Sequence, residues 1–103
     1  NIYLFEEIIK KVKKKTKVNG TELVFIFLPA WHRYGTKVDQ GKFENRDKIL
    51  SILNNLDIKI IDIHQELVMH DDPLSLFPFR QHNHYTSEGY YLISEAIMKQ
   101  LEN

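Results

Sequence analysis

The sequence predicts an α/β fold, a three-layer α/β/α arrangement around a short parallel sheet, and three observations carry that expectation. Apolar residues recur at helical spacing in three stretches, at about 2–16, 45–56 and 87–101. Between them lie two short runs, ELVFIFL at 22–28, β-branched and aromatic and apolar on both faces, and IKIIDI at 58–63, rich in β-branched residues. The order is helix, strand, helix, strand, loop, helix, and such alternation implies right-handed crossovers in a parallel sheet.

The first helix places Ile2, Phe5, Ile8, Ile9 and Val12 on one face, with Lys10, Lys11, Lys13, Lys14 and Lys15 in its C-terminal turns, where cations complement the helix dipole. No aromatic residues interleave with these lysines, so they read as a solvated helix end rather than a nucleic-acid patch. Asn19-Gly20 stops the helix, because glycine tolerates the left-handed conformation that closes it. Pro29 ends the first strand, and a polar segment from Ala30 to Phe43 follows. Asn45 is the expected cap of a helix over Arg46–Leu56, whose Ile49, Ile52, Leu53 and Leu56 make the buried face. Asn54-Asn55-Leu56-Asp57 turns the chain into the second strand. A short helical turn is expected over 65–69, and His70-Asp71-Asp72-Pro73 breaks it. Two strands make a poor sheet alone. The exposed edge therefore calls for a missing part of the domain, a second copy of the chain, or a swapped segment.

The 103 residues fit one small domain or a domain fragment, with no repeat or linker to divide them. Fourteen basic and fourteen acidic residues cancel, which removes the field that would argue for a nucleic-acid or anionic-membrane partner. Without cysteine there are no disulfides, thiolate nucleophiles or zinc–thiolate sites, but the compartment stays open, cytoplasmic or extracytoplasmic. No apolar run approaches the roughly 20 residues of a membrane-spanning helix. The chain enters a helical pattern directly at Asn1 and reads as a piece of a longer protein.

Chemistry concentrates in Phe77–Ala96, FPFRQHNHYTSEGYYLISEA, where a histidine-rich loop runs into an amphipathic helix. Thr86 or Ser87 can accept from the first free helical N–H groups, Glu88 suits the positive helix end, and Tyr90, Ile93, Ala96, Ile97 and Leu101 give one apolar face. A histidine just ahead of such a helix is held in place, and His84 can exchange a proton near neutral pH. Trp31, His32, Arg33 and Tyr34 sit beyond the carboxyl end of the first strand, where open α/β sheets bind ligands, and with Arg80 and His82 they are candidates for substrate contact. A surface loop with one aromatic folded onto the core is the simpler alternative for Trp31–Tyr34. A metal site drawn from His64, His70, Asp71, Asp72, His82 and His84 matches no compact ligand spacing, so neither a metal nor a cofactor is expected.

The run His84-Tyr85-Thr86-Ser87-Glu88-Gly89-Tyr90 resembles the C-terminal block of the SGNH/GDSL hydrolases, in which His-Tyr-Asn-Glu-Glu-Gly-Tyr opens the last helix and the histidine is the general base. The resemblance implies a flavodoxin-like SGNH half-domain with His84 as that base. It also implies a role in a serine esterase or O-acyltransferase acting on a small ester, such as an acylated carbohydrate or lipid. The family's acid lies three residues before the histidine, and here that position is Gln81. Gln81 can orient an imidazole through its amide oxygen but cannot stabilise an imidazolium as a carboxylate does. Asp62, Asp71 and Asp72 are the candidate replacement acids. Asp62 reads more simply as a strand-end hydrogen-bonding group, and Asp71 or Asp72 as a turn residue before Pro73. The family's Gly-Asp-Ser nucleophile block and its oxyanion-donating glycine and asparagine blocks have no counterpart, and Ser51, Ser75, Ser87 and Ser94 lie in other contexts. The base would then act on a serine upstream of this chain. A non-catalytic α/β binding or oligomerisation module without the triad acid is the alternative.

Overall fold

The computed structural model describes residues 1–35 and 44–102 and is helix-rich, with one small parallel sheet. Among the described residues the α-helices are α1 (Ile2–Val18), α2 (Glu44–Asn55), α3 (Ile63–Val68) and α4 (Ser87–Leu101). Two strands, β1 (Val24–Phe27) and β2 (Lys59–Asp62), pair in the sheet. Short 3₁₀ turns occupy Trp31–Tyr34, Pro73–Leu76 and Pro78–Arg80. Within the described residues this is the expected alternation of helices and strands. The last helix falls where its periodicity placed it, and both strands are shorter than their apolar runs. Of the Ala30–Phe43 segment, residues 36–43 lie outside the described residues. The chain divides into two compact units, one built from Asn1–Phe25 and Asp39–Ile60, the other from Ile26–Val38 and Ile61–Asn103.

In the first unit, α1 packs against α2, and Phe5 meets Phe25 edge to face with ring centroids 6.1 Å apart. Leu53 and Ile58 are buried. Both helices end in the same device. In α1 the Thr21 N–H donates to the Thr16 carbonyl at 2.8 Å and the Gly20 N–H to Lys17 at 3.1 Å, with Gly20 left-handed at φ 69°. In α2 the Ile58 N–H donates to Leu53 at 3.0 Å and the Asp57 N–H to Asn54 at 3.1 Å, with Asp57 left-handed at φ 55°. These paired bonds satisfy carbonyls that the last helical turn leaves open. Lys13 Nζ donates to the Leu56 carbonyl at the same helix end, so this lysine of the run grouped by sequence as solvated ties α1 to the end of α2.

Two expectations are corrected here. Asn45 lies inside α2, which already includes Glu44, so it is a first-turn residue and not the cap. The first apolar run was read as covered on both faces, yet Ile26 and Leu28 are exposed, and among the described residues β1 pairs with one other strand in a two-stranded sheet. The apolar stripe of α1 is also wider than its buried side: Ile2, Phe5 and Ile9 are half-buried, while Ile8 and Val12 are exposed.

The second unit holds the larger core, formed by Ile61, Ile63, Leu67, Leu76, Phe77, Tyr85, Ile93 and Ala96. Here α4 packs on α3 and on the Pro73–Leu76 turn, which in turn meets Trp31–Tyr34. No helix of the described residues is long and apolar enough to cross a membrane.

Asp57 stands where glycine is the usual residue, and a left-handed residue with a Cβ costs about 1–3 kcal/mol when it is poorly suited. Asp57→Gly is therefore expected to hold or raise the unfolding free energy, and Asp57→Val to lower it by about 1–3 kcal/mol. Urea titration of both variants checks the order; a valine variant as stable as wild type would contradict it.

Candidate functional site

The last helix is fixed before its first turn begins. Thr86 is the N-cap of α4, its Oγ1 accepting from the Gly89 N–H at 3.0 Å, while its own N–H donates to the Leu76 carbonyl at 2.8 Å. Gly89 is buried and has no room for a side chain, since a Cβ there would stand 2.7 Å from the Leu76 oxygen and 3.0 Å from the Tyr85 Cβ. Tyr85 is buried beside it. Its ring lies 4.6 Å from Phe77 and 5.6 Å from Tyr90 by centroids, and its hydroxyl donates to the Pro29 carbonyl. Burial, with a smaller contribution from Tyr90, pushes the Tyr85 phenol up to about 12. The residues Tyr85, Thr86, Gly89 and Tyr90 thus each have a packing or capping reason. His84, immediately before them, is exposed.

The chain reaches His84 through a strained bend. Phe79 and Arg80 are successive left-handed residues at φ 53° and 63°, neither of them glycine. Such conformations persist only where their surroundings hold them. Arg80 is held by both guanidinium nitrogens, which donate to the two Asp72 carboxylate oxygens at 2.8 and 2.9 Å. The backbone N–H of Asp72 donates to His70 Nδ1 at 2.9 Å, and Ser75 Oγ to the Asp72 carbonyl at 2.7 Å. The Arg80 hydrogen bond holds the Asp72 carboxyl below its usual range. Beyond the bend Phe79 projects into solvent, 84% exposed, with its ring 5.5 Å from His82, and His82 stacks on His84 at 5.9 Å and 25°. His84 Nδ1 faces the Tyr85 carbonyl at 3.5 Å. A backbone carbonyl at Nδ1 favours the tautomer that leaves Nε2 able to accept a proton.

The structure brings some of the expected site residues together and not others. His82 and His84 are neighbours. Arg80 and Asp72 are joined to each other, and Asp62 uses Oδ1 to accept from the His64 N–H at 3.1 Å, capping α3 as a strand-end group. Asp71 and Gln81 are exposed, and among the described residues no carboxylate, amide or serine side chain is hydrogen-bonded to His84. The Ser75 and Ser94 hydroxyls donate to backbone carbonyls. Among the described residues no three His, Asp or Glu side chains are grouped closely enough to hold a metal ion.

Trp31–Tyr34 form one 3₁₀ turn in which Trp31 meets His32 edge to face and the Arg33 guanidinium lies 5.9 Å from the Phe27 ring. Tyr34 stacks on His64 at 5.6 Å, and its hydroxyl lies 2.8 Å from His64 Nδ1. This Tyr34–His64 pair, and the Leu76 carbonyl beneath Gly89, are the features that sequence reasoning missed. Asp62 two residues before His64 is the one local sign that His64 opens a helix. Comparison of the chain with protein-family models, curated proteins and solved structures finds no match.

Gly→Ala in a helix ordinarily stabilises by about 0.5–1 kcal/mol. At position 89 the sign reverses, because the methyl group meets a backbone oxygen that cannot yield without breaking the Thr86 bond. Gly89→Ala is expected to cost about 1–3 kcal/mol, read from the urea midpoint. A second expectation concerns pH. The folded phenol of Tyr85 ionises near 12 and the unfolded one near 10, so its contribution is complete below pH 10 and drains as pH rises toward 12. The stability gap between wild type and Tyr85→Phe should narrow over that interval.

Proposed function

We propose that this chain is the base-carrying C-terminal portion of an SGNH-type serine esterase or O-acyltransferase, the flavodoxin-like half of a three-layer domain whose nucleophilic serine lies upstream. The observation that carries the reading is the His84–Tyr90 block, in which Thr86 caps, Gly89 packs and Tyr85 anchors so that an exposed imidazole stands at the head of the last helix. In the reaction the upstream serine attacks the ester carbonyl as His84 Nε2 takes its proton. The imidazolium then protonates the leaving alcohol, and water or an acceptor hydroxyl repeats the sequence in reverse. With Gln81 where the acid would be, the site works as a Ser–His dyad, its imidazole oriented by the Tyr85 carbonyl. The substrate is a small ester, such as an acylated carbohydrate or lipid, contacted by His82 and by the Trp31–Tyr34 turn, with Arg80 bracing the loop through Asp72.

A second reading has its own support. His84 has no carboxylate partner among the described residues and Gln81 is exposed, as in a non-catalytic module that kept the scaffold and lost the chemistry.

The test is fluorophosphonate labelling of the longer protein that carries these residues. Wild type should label, and His84→Ala, with unchanged circular dichroism, should label at least about 100-fold more slowly. Absence of labelling in folded wild type, or equal labelling in the variant, would overturn the proposal in favour of the second reading.

A further inference from the structure

The charges of this chain cancel overall but are segregated along it. In α1, Lys10 is paired with Glu6 at 3.3 Å and Glu7 at 3.6 Å, while Lys11, Lys14 and Lys15 make no ion pair among the described residues. At the other end of the chain, Glu88, Glu95 and Glu102 fall seven residues apart, which aligns them along one side of α4. With Glu66 of α3 they border a groove of about 570 Å³ floored by Tyr91, Leu92 and Met98 and containing a single cation, Lys99. Glu102 is the C-cap of α4, where the negative end of the helix dipole disfavours a carboxylate. A cation supplied from outside would offset both the crowding of acids and that placement.

The apolar surface is arranged to match. Leu4, Ile8 and Val12 follow one another at four-residue spacing and are 59%, 51% and 38% exposed, a ridge on α1 that its own packing leaves uncovered. The row beside it contains Lys11 and Lys15. Across the chain, Tyr91 and Met98 of the groove are 68% and 56% exposed. One surface is therefore an apolar ridge edged by lysine, the other an apolar groove edged by glutamate.

We infer that the α3–α4 groove of one molecule receives the α1 ridge of a second copy of this chain. The mode is a helix laid in a groove, with the apolar side chains supplying the contact and the charges its register and selectivity. Ridge and groove are different surfaces, so every molecule carries one of each and can both offer a ridge and receive one. One helix in one groove is a small interface and exposed ion pairs add little each, so the association is weak and sensitive to salt. It involves none of the residues assigned to acyl transfer and stands whether or not His84 is a base.

Sedimentation velocity of the 103-residue chain over a range of concentrations tests it. The wild type should shift from monomer to larger species as concentration rises. The shift should weaken as salt goes from about 0.02 M to about 0.5 M, where screening shortens several-fold. A groove variant, Glu95→Lys with Glu102→Lys, and a ridge variant, Lys11→Glu with Lys15→Glu, should each stay monomeric with wild-type circular dichroism. An equimolar mixture of the two should associate again, because the intact lysine ridge of one meets the intact acidic groove of the other. A monomeric wild type, salt-insensitive aggregation, variants that associate as wild type does, or a mixture that stays monomeric would each overturn the inference.

Discussion

The Leu76 carbonyl governs the second unit of this protein. It accepts the Thr86 N–H at 2.8 Å and fills the space that any side chain at position 89 would need. One oxygen thereby sets both where α4 begins and how closely it approaches the Pro73–Leu76 turn. The consequences run outward from there. Thr86 turns its hydroxyl to the Gly89 N–H, Tyr85 is drawn into the core against Phe77, and its hydroxyl ties the helix start to the Pro29 carbonyl at the exit of β1. His84 is what remains outside, three residues ahead of a helix whose start is fixed by several independent contacts.

A second constraint acts from the opposite direction. Two left-handed residues in succession, Phe79 and Arg80, cost conformational energy that the surroundings offset through the bidentate Asp72–Arg80 pair and the backbone bonds to Phe77 and Pro78. The pair is exposed, and its worth lies in geometry more than in strength, since surface ion pairs contribute little by themselves. What the bend achieves is display. It holds Phe79 in solvent against His82, and His82 against His84.

Periodicity read the helices well because each has a face that must meet something. A cap at Thr86 or Ser87, the glycine stop at Gly20 and the strand-end role of Asp62 were legible because they depend on local chemistry alone, and the structure places the cap at Thr86. What the sequence hid depends on contacts between distant residues. Asn45 has a good capping side chain, yet α2 begins before it. Asp57 was legible only as part of a turn, and the paired bonds to Leu53 and Asn54 reveal that it closes α2 as Gly20 closes α1. The candidate acids show the same limit. Asp71 and Asp72 were alike in the sequence as turn carboxylates before Pro73, and the pairing of Asp72 with Arg80 eight residues on became visible only when the bend was seen. Tyr34 and His64, thirty positions apart, are joined by a stacking contact and a hydrogen bond that no spacing rule contains.

The proposed acyl transfer requires the imidazole at the head of α4 to be a base. The most direct measurement is a crystal structure of the phosphonate adduct of the longer protein. The account predicts His84 Nε2 about 3 Å from the phosphonylated serine oxygen, with Nδ1 still facing the Tyr85 carbonyl. An adduct whose serine oxygen is met by another residue, with His84 turned to solvent, would contradict it.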